Sequence, residues 1–265
     1  MKANKKTLLW EISGGALPGK SYIFGTMHVK DARVFQRLGK VYAAMAQCEA
    51  YAAEFDLQDA GEGVDPRLFA LPEDLSLDQL IPAKKYDKLR RVLKKTLHLN
   101  IDLLKYNRPL LLSNLIEERL LASNMPESLD EHLWQYAYRL GKHRFGIETL
   151  QEQLKILQLI PIQHQIQSLL STVRHFSRYR HHLLKMAQWY EQGDIYKLYQ
   201  STRRGTHSLR GLLLYDRNVL MANRIAQLIQ QQATFCSIGA AHLAGQRGVL
   251  RLLKLQGFHL RPLPL

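Results

Sequence analysis

Phe235-Cys236-Ser237-Ile238-Gly239-Ala240-Ala241-His242 couples an apolar run of strand length to a glycine and, three residues later, a histidine. The same order of residue types stands near the other end of the chain, in Tyr22-Ile23-Phe24-Gly25-Thr26-Met27-His28. Short apolar runs bounded by turn-forming residues read as strands, and a glycine lets the chain turn sharply or pass close to another group. In open α/β sheets, groups just beyond the carboxyl ends of parallel strands meet in one crevice. His28 and His242 are therefore expected at a shared rim, in equivalent strand-to-loop settings.

Outward from these motifs, Leu8 to Ile12 and Ser21 to Phe24 flank a loose loop and read as a hairpin. Val34, Leu38, Val41, Ala44 and Met45 fall at helical spacing behind Asp31, which predicts a capped helix from Asp31 to Ala46. Ala50 to Phe55 reads as a strand with Glu54 and Asp56 at its end, and Arg144 to Ile147 as one that closes on Glu148. A helix from Val249 to Gln256, stopped by Gly257, leads into a last strand, Phe258 to Leu263. Helical periodicity fills the intervals at about 65–142 and 150–232, with Pro72, Pro82, Pro109 and Pro126 marking starts or breaks. Residues 1–265 read as one α/β domain: a central mixed sheet flanked by helices in three layers, with core strands near 8–28, 50–56, 143–148, 233–242 and 258–263, and two large helical insertions.

The composition, 46% hydrophobic and 23% charged, is that of a folded protein and excludes a wholly disordered chain. A net charge of +14 attracts anionic partners in general. With no recognisable nucleic-acid module, it reads as a solvated basic surface and no nucleic-acid partner is expected. The basic, aromatic stretch Arg174 to His182 likewise reads as a solvated helix face. Cys48 and Cys236, each in an apolar stretch, are expected as buried thiols, which suits a reducing compartment. No apolar run approaches the roughly 20 residues that span a bilayer, and Met1 to Lys6 leads to Glu11 without a signal-peptide core. A cytoplasmic location is expected; a leader ahead of this sequence would make it periplasmic or secreted. Exposed apolar positions on the insertions would permit a homodimer.

Two histidines with carboxylates at neighbouring strand ends form a site of the kind that binds a divalent metal through imidazole nitrogens and a carboxylate oxygen, with a position open for water. Such an ion lowers the pKa of its water and polarises a carbonyl, so hydrolysis proceeds near neutral pH. Glu54, Asp56 and Glu148 are the acids available, and spacing leaves open which of them binds. Asp216-Arg217-Asn218 forms a further polar cluster, in which Arg217 is read either as a holder of a substrate carboxylate or oxyanion or as one half of a helix-surface ion pair.

Taken in order, these segments resemble the TraB/GumN family, and through it the Tiki-type metalloproteases and, more distantly, the erythromycin esterase and ChaN-like proteins. The resemblance covers nearly the whole chain. It rests on Leu9 to Ile12, Ser21 to Val29, Glu54-Phe55-Asp56, Leu129-Asp130-Glu131-His132-Leu133, Gly146 to Leu154, and Ile238 to Gly248 ahead of Gln256-Gly257-Phe258. It implies a divalent ion (manganese, cobalt or zinc) on His28, His242 and Glu54, with Glu148 as general base or extra ligand. Glu148, Glu54 and Arg217 are then the catalytic set, and Arg217, Asn218 and Thr26 contact substrate. Ser128 departs from the pattern where relatives often carry glycine, and Asp216 where glutamate is common.

The leading expectation is a metal-dependent hydrolase, most simply a peptidase or amidase acting on a peptide or protein. Two others stand beside it: a metal-independent, esterase-like hydrolase using His28 with Glu54 or Glu148, and a regulatory protein that binds a peptide or acidic partner without chemistry.

Overall fold

The computed structural model describes residues 6–58, 66–72, 75–121, 125–205 and 211–265. Six strands form one mixed sheet: β1 (Leu9–Ser13), β2 (Ser21–Thr26), β3 (Ala50–Phe55), β4 (His143–Glu148), β5 (Thr234–Gly239) and β6 (His259–Leu263), in the order β4-β3-β5-β2-β1-β6. β4, β3, β5 and β2 run parallel, and the β1–β2 hairpin turns the direction before β6 closes the edge antiparallel to β1. The apolar composition of β2 and β5 follows from this placement, because a parallel strand covered on both faces has no solvent side for polar residues. Every residue of β2 is buried. The fold is α/β, as the strand-and-helix pattern implies.

Between the strands lie α1 (Gly39–Ala46), α2 (Leu77–Leu80), α3 (Ala83–Leu97), α4 (Pro109–Leu121), α5 (Leu129–Arg139), α6 (Leu150–Gln158), α7 (Ile162–Arg174), α8 (Phe176–Glu191), α9 (Ile195–Gly205), α10 (Asp216–Gln231), α11 (Ala240–Leu243) and α12 (Val249–Leu255). The prolines act as their fixed φ dictates: Pro82 caps α3 and Pro109 opens α4. The helix expected from Asp31 to Ala46 is broken in two. Asp31 caps a short 3-10 turn, Ala32–Phe35, through Arg33 N–H, and Arg37 then takes φ +63°, a left-handed conformation that ends the run before α1 begins. Tyr51, Phe24 and Phe235 anchor the sheet-centred core. The two helical insertions pack on each other around a second core, in which Leu89, Leu93, Leu112 and Leu169 have no exposed surface.

The two glycine-histidine motifs lie side by side. β2 pairs with β5 so that Gly25 faces Ile238 and Thr26 faces Gly239. Gly25 makes no turn; it sits inside β2, and a β-carbon there would stand 2.7 Å from Leu243 Cδ1 and 3.0 Å from Ala240 Cβ. Its missing side chain is what lets the helical turn of the second motif seat against the strand of the first. Gly25→Ala is accordingly expected to destabilise the protein by about 1–3 kcal/mol through overpacking, read as a lowered melting temperature. An unchanged melting temperature would contradict this contact.

Candidate functional site

The four parallel strands deliver their last residues along one edge in the order Glu148, Glu54, the Gly239 to His242 turn, and His28. The side chains that reach this edge fall into two linked networks, one of carboxylates and one of imidazoles.

Arg217 enters at the second residue of α10, directly after a π turn, Gly211–Tyr215. Its guanidinium lies between the two glutamates: Nε donates to Glu148 Oε1 at 2.9 Å, and one terminal nitrogen donates to Glu54 Oε1 at 2.5 Å and also to Glu148 Oε2. The Gln153 amide, one turn into α6, bridges the same carboxylates at 3.2 and 3.1 Å. The other oxygen of Glu54 accepts the backbone N–H of Gly239 at 2.8 Å, which locks β3 to the start of the second motif. Burial pushes the Glu54 carboxyl toward neutrality, but the charge of Arg217 and the Gly239 N–H outweigh it and hold the pKa down at about 2. The carboxylates in turn raise Arg217 above its ordinary value against the cost of its burial.

His242 lies on α11, buried, where a chain of hydrogen bonds fixes its proton. Asn218, with no exposed surface, donates its amide Nδ2 to the Arg247 carbonyl at 2.7 Å. Its Oδ1 must then face His242 Nδ1, at 2.6 Å, so Nδ1 carries the hydrogen and Nε2 keeps a free lone pair. Burial drives the His242 pKa down to about 4, with Glu54 pulling upward and Arg217 adding to the fall. The ring is neutral at physiological pH.

His28 stands apart in character. It lies two residues past the end of β2 on a loop held by a Val29 N–H to Met27 carbonyl bond, with 67% of its side chain exposed. Its Nδ1 is 3.3 Å from Asp130 Oδ2, in the first turn of α5. The hydrogen bond to Asp130 raises its pKa, and the charges of Asp130, Glu131 and Glu54 add to the rise. Beside it opens a groove of about 660 Å³, lined by apolar side chains including Met27, Leu111, Leu115, Leu183 and Met186, with Glu117 and Glu118.

The two motifs, alike in sequence, are thus unlike in structure: one histidine is on an exposed loop and the other on a buried helical turn. The Glu148 side chain has no exposed surface and is closed by Arg217 and Gln153. Asn218 has both ends of its amide engaged, by the Arg247 carbonyl and His242, and Thr26 is buried in β2. Arg217, with 15% of its side chain exposed, is spent on the two carboxylates. Asp56 is bonded to its own loop at Gln58 N–H. Among the described residues, no three His, Cys, Asp or Glu side chains are grouped closely enough to form a ligand set as they stand. Asp130 and Gln153 lie in segments that carry the family resemblance, but the sequence assigns neither a role at the site. The signal for Asp130 was the capping box Ser128 to Glu131, which fixes α5 so that Asp130 falls in its first turn.

Removing Arg217 would leave two carboxylates facing each other without a counter-charge. Arg217→Met is expected to cost about 3–5 kcal/mol, and adding Glu148→Gln should recover part of that in chemical denaturation. Equal stability of the single variant and the native protein would contradict the network. In metal-free protein, His242 gives a pH signature. Its folded pKa of about 4 lies below the ordinary 6.5, so the unfolded chain binds more protons across that window. Stability therefore falls as pH drops from about 6.5 toward 4, by on the order of 3 kcal/mol from this residue. His242→Gln should flatten the slope there.

Comparison with known proteins agrees with the order of these segments. The model of the TraB/PrgY/gumN family matches residues 8–262. Metalloprotease TIKI2 of Danio rerio is 25% identical, over 97% of this chain and 61% of that protein, so the chain spans about three-fifths of this relative's length. No solved structure matches significantly. The chain belongs to the TraB/PrgY/gumN family.

Proposed function

We propose that the protein is a hydrolase of peptide or amide bonds that works with a divalent metal ion held at the sheet edge. One observation carries the reading: both motif histidines have Nδ1 tied to an oxygen, Asp130 for His28 and Asn218 for His242, which leaves Nε2 free on each. Metal-binding histidines are oriented in this way by their outer partners. The donor chemistry fits a divalent ion, since His242 is neutral and Glu54 is ionised well below neutral pH. His28, His242 and Glu54 would hold the ion, and manganese, cobalt or zinc each suits this mixture of imidazole and carboxylate. Bound there, it would lower the pKa of a water molecule and polarise the scissile carbonyl. The likeness to a named metalloprotease supports the same class.

The chain's own residues set the stage for this chemistry. Arg217 keeps Glu54 charged, Glu148 and Gln153 keep Arg217 in place, and Asn218 keeps the His242 lone pair available. The apolar groove beside His28 suits an extended peptide that presents hydrophobic side chains. A second reading rests on a different observation. The pKa values of His28 and His242 are driven in opposite directions, the pattern that assigns an acid and a base in metal-free catalysis.

Metal analysis of protein purified without a histidine tag, paired with peptide hydrolysis, tests both. Bound metal is expected in the native protein and its loss in His28→Ala and His242→Ala. Asp130→Asn and Asn218→Ala should weaken metal affinity about 10- to 100-fold. Chelator-resistant turnover that still needs His28 would select the second reading, and unchanged metal content in both histidine variants would end the first.

A further inference from the structure

Away from the sheet edge, the positive charge is concentrated in one part of the molecule. α3, α7 and α8 together carry eleven Lys and Arg side chains against Asp87 and Glu191, a net of +9 out of the chain's +14. Lys84, Lys85, Lys88, Arg90, Arg91, Lys94 and Lys95 are all exposed along α3, whose other face is buried through Tyr86, Leu89, Leu93 and Leu97 in the second core. α3 packs against α7, and the seam between them is a shallow groove of about 200 Å³. Lys85, Lys88 and Arg174 line it together with Leu170 and Val173. Among the described residues, Asp87 and Asp102 pair with Arg90, and no carboxylate pairs with Lys85, Lys88 or Arg174.

We infer that this face docks on an anionic membrane surface, with Lys85, Lys88 and Arg174 meeting lipid phosphates above the apolar floor formed by Leu170 and Val173. Unpaired cations over apolar side chains match an amphiphile that carries a negative head and a hydrocarbon tail. Each basic side chain near an anionic bilayer adds to the attraction, and the effect falls off within a Debye length. The flank of α3 supports the same partner. Asp102 is tied to Tyr86 at 2.9 Å and to Arg90 at 3.8 Å, and the turn so fixed, Ile101–Leu104, presents Leu103 with 81% of its surface exposed, followed by the exposed Tyr106. Exposed apolar side chains beside basic helices are suited to the boundary between headgroups and acyl chains. A single-stranded nucleic acid fits less well, because stacking on successive bases needs a row of presented aromatic rings, and Tyr106 stands by itself beside α3. The aromatics of the Arg174 to His182 stretch are turned inward: Phe176 and Tyr179 pack on the second core, and the Tyr179 hydroxyl bonds to Glu117.

Sedimentation of the full chain with phosphatidylcholine vesicles, with and without phosphatidylglycerol, tests this. The native protein should pellet with the phosphatidylglycerol vesicles alone and be released as salt rises from about 0.1 to 1 M, where the Debye length shrinks from about 10 to 3 Å. K85Q/K88Q/R174Q is expected to partition about 100-fold more weakly, with an unchanged circular dichroism spectrum and melting temperature. Leu103→Ser should weaken binding without altering its salt dependence. Equal sedimentation with both kinds of vesicle, or unchanged binding by the triple variant, would overturn the proposal. Tighter binding of the native protein to a single-stranded oligonucleotide than to phosphatidylglycerol vesicles at equal total negative charge would overturn it in favour of a nucleic acid.

Discussion

Two carboxylates on neighbouring strands, both largely withdrawn from water, repel each other unless a cation with matching geometry stands between them. Arg217 is that cation, and its planar fork of donors suits the task where a lysine point charge would not. Because Glu54 lies one residue before the end of β3, Glu148 ends β4 and Arg217 is in the first turn of α10, the pairing fixes where a helix from the second insertion meets the sheet. Glu54 then passes the constraint on through Gly239 to the turn that carries His242. The site is thus a consequence of satisfying buried charge at the edge of a parallel sheet.

The histidines depend on this arrangement in different ways. His242 is surrounded by protein, and its tautomer follows from a chain that begins at the Arg247 carbonyl and runs through Asn218. His28 is set by Asp130, which comes from a helix 102 residues further along. One imidazole is therefore fixed and neutral, and the other is accessible and inclined to hold a proton. A glycine three residues ahead of each histidine gives no hint of the difference. In the fold the second tetrapeptide coils into helix while the first continues as loop, and Leu243, after the second motif, packs into the space that Gly25 leaves in the first.

That contrast shows what can be read from sequence. The four parallel strands were legible because each is a short, largely apolar run closed by a glycine or an acid, and the order of the acids and histidines along the rim follows once those runs share a sheet. The split of the helix after Asp31 was hidden, since it turns on one left-handed residue, Arg37, whose type carries no such signal. The roles of Glu148 and Asn218 were hidden for another reason. A polar residue near a site reads equally as a substrate contact or as a support, and only its hydrogen-bond partners distinguish the two. Asp130 and Gln153 belong to the same class, because their partners are remote in the chain or sit across the rim.

In this reading chemistry belongs to the carboxyl edge of the sheet and surface attraction to the insertions, whose second core also supplies Leu112 and Leu115 to the groove beside His28. The central claim concerns the state of a single ring: His242 neutral, hydrogen on Nδ1, Nε2 free. Ring-nitrogen NMR of protein labelled with 15N-histidine at neutral pH measures this directly. The prediction is a His242 signal pair with Nδ1 protonated and Nε2 unprotonated, identified by its loss in His242→Gln and shifted at Nε2 when cobalt or zinc is added. A His242 ring that is doubly protonated, or protonated at Nε2, would contradict it.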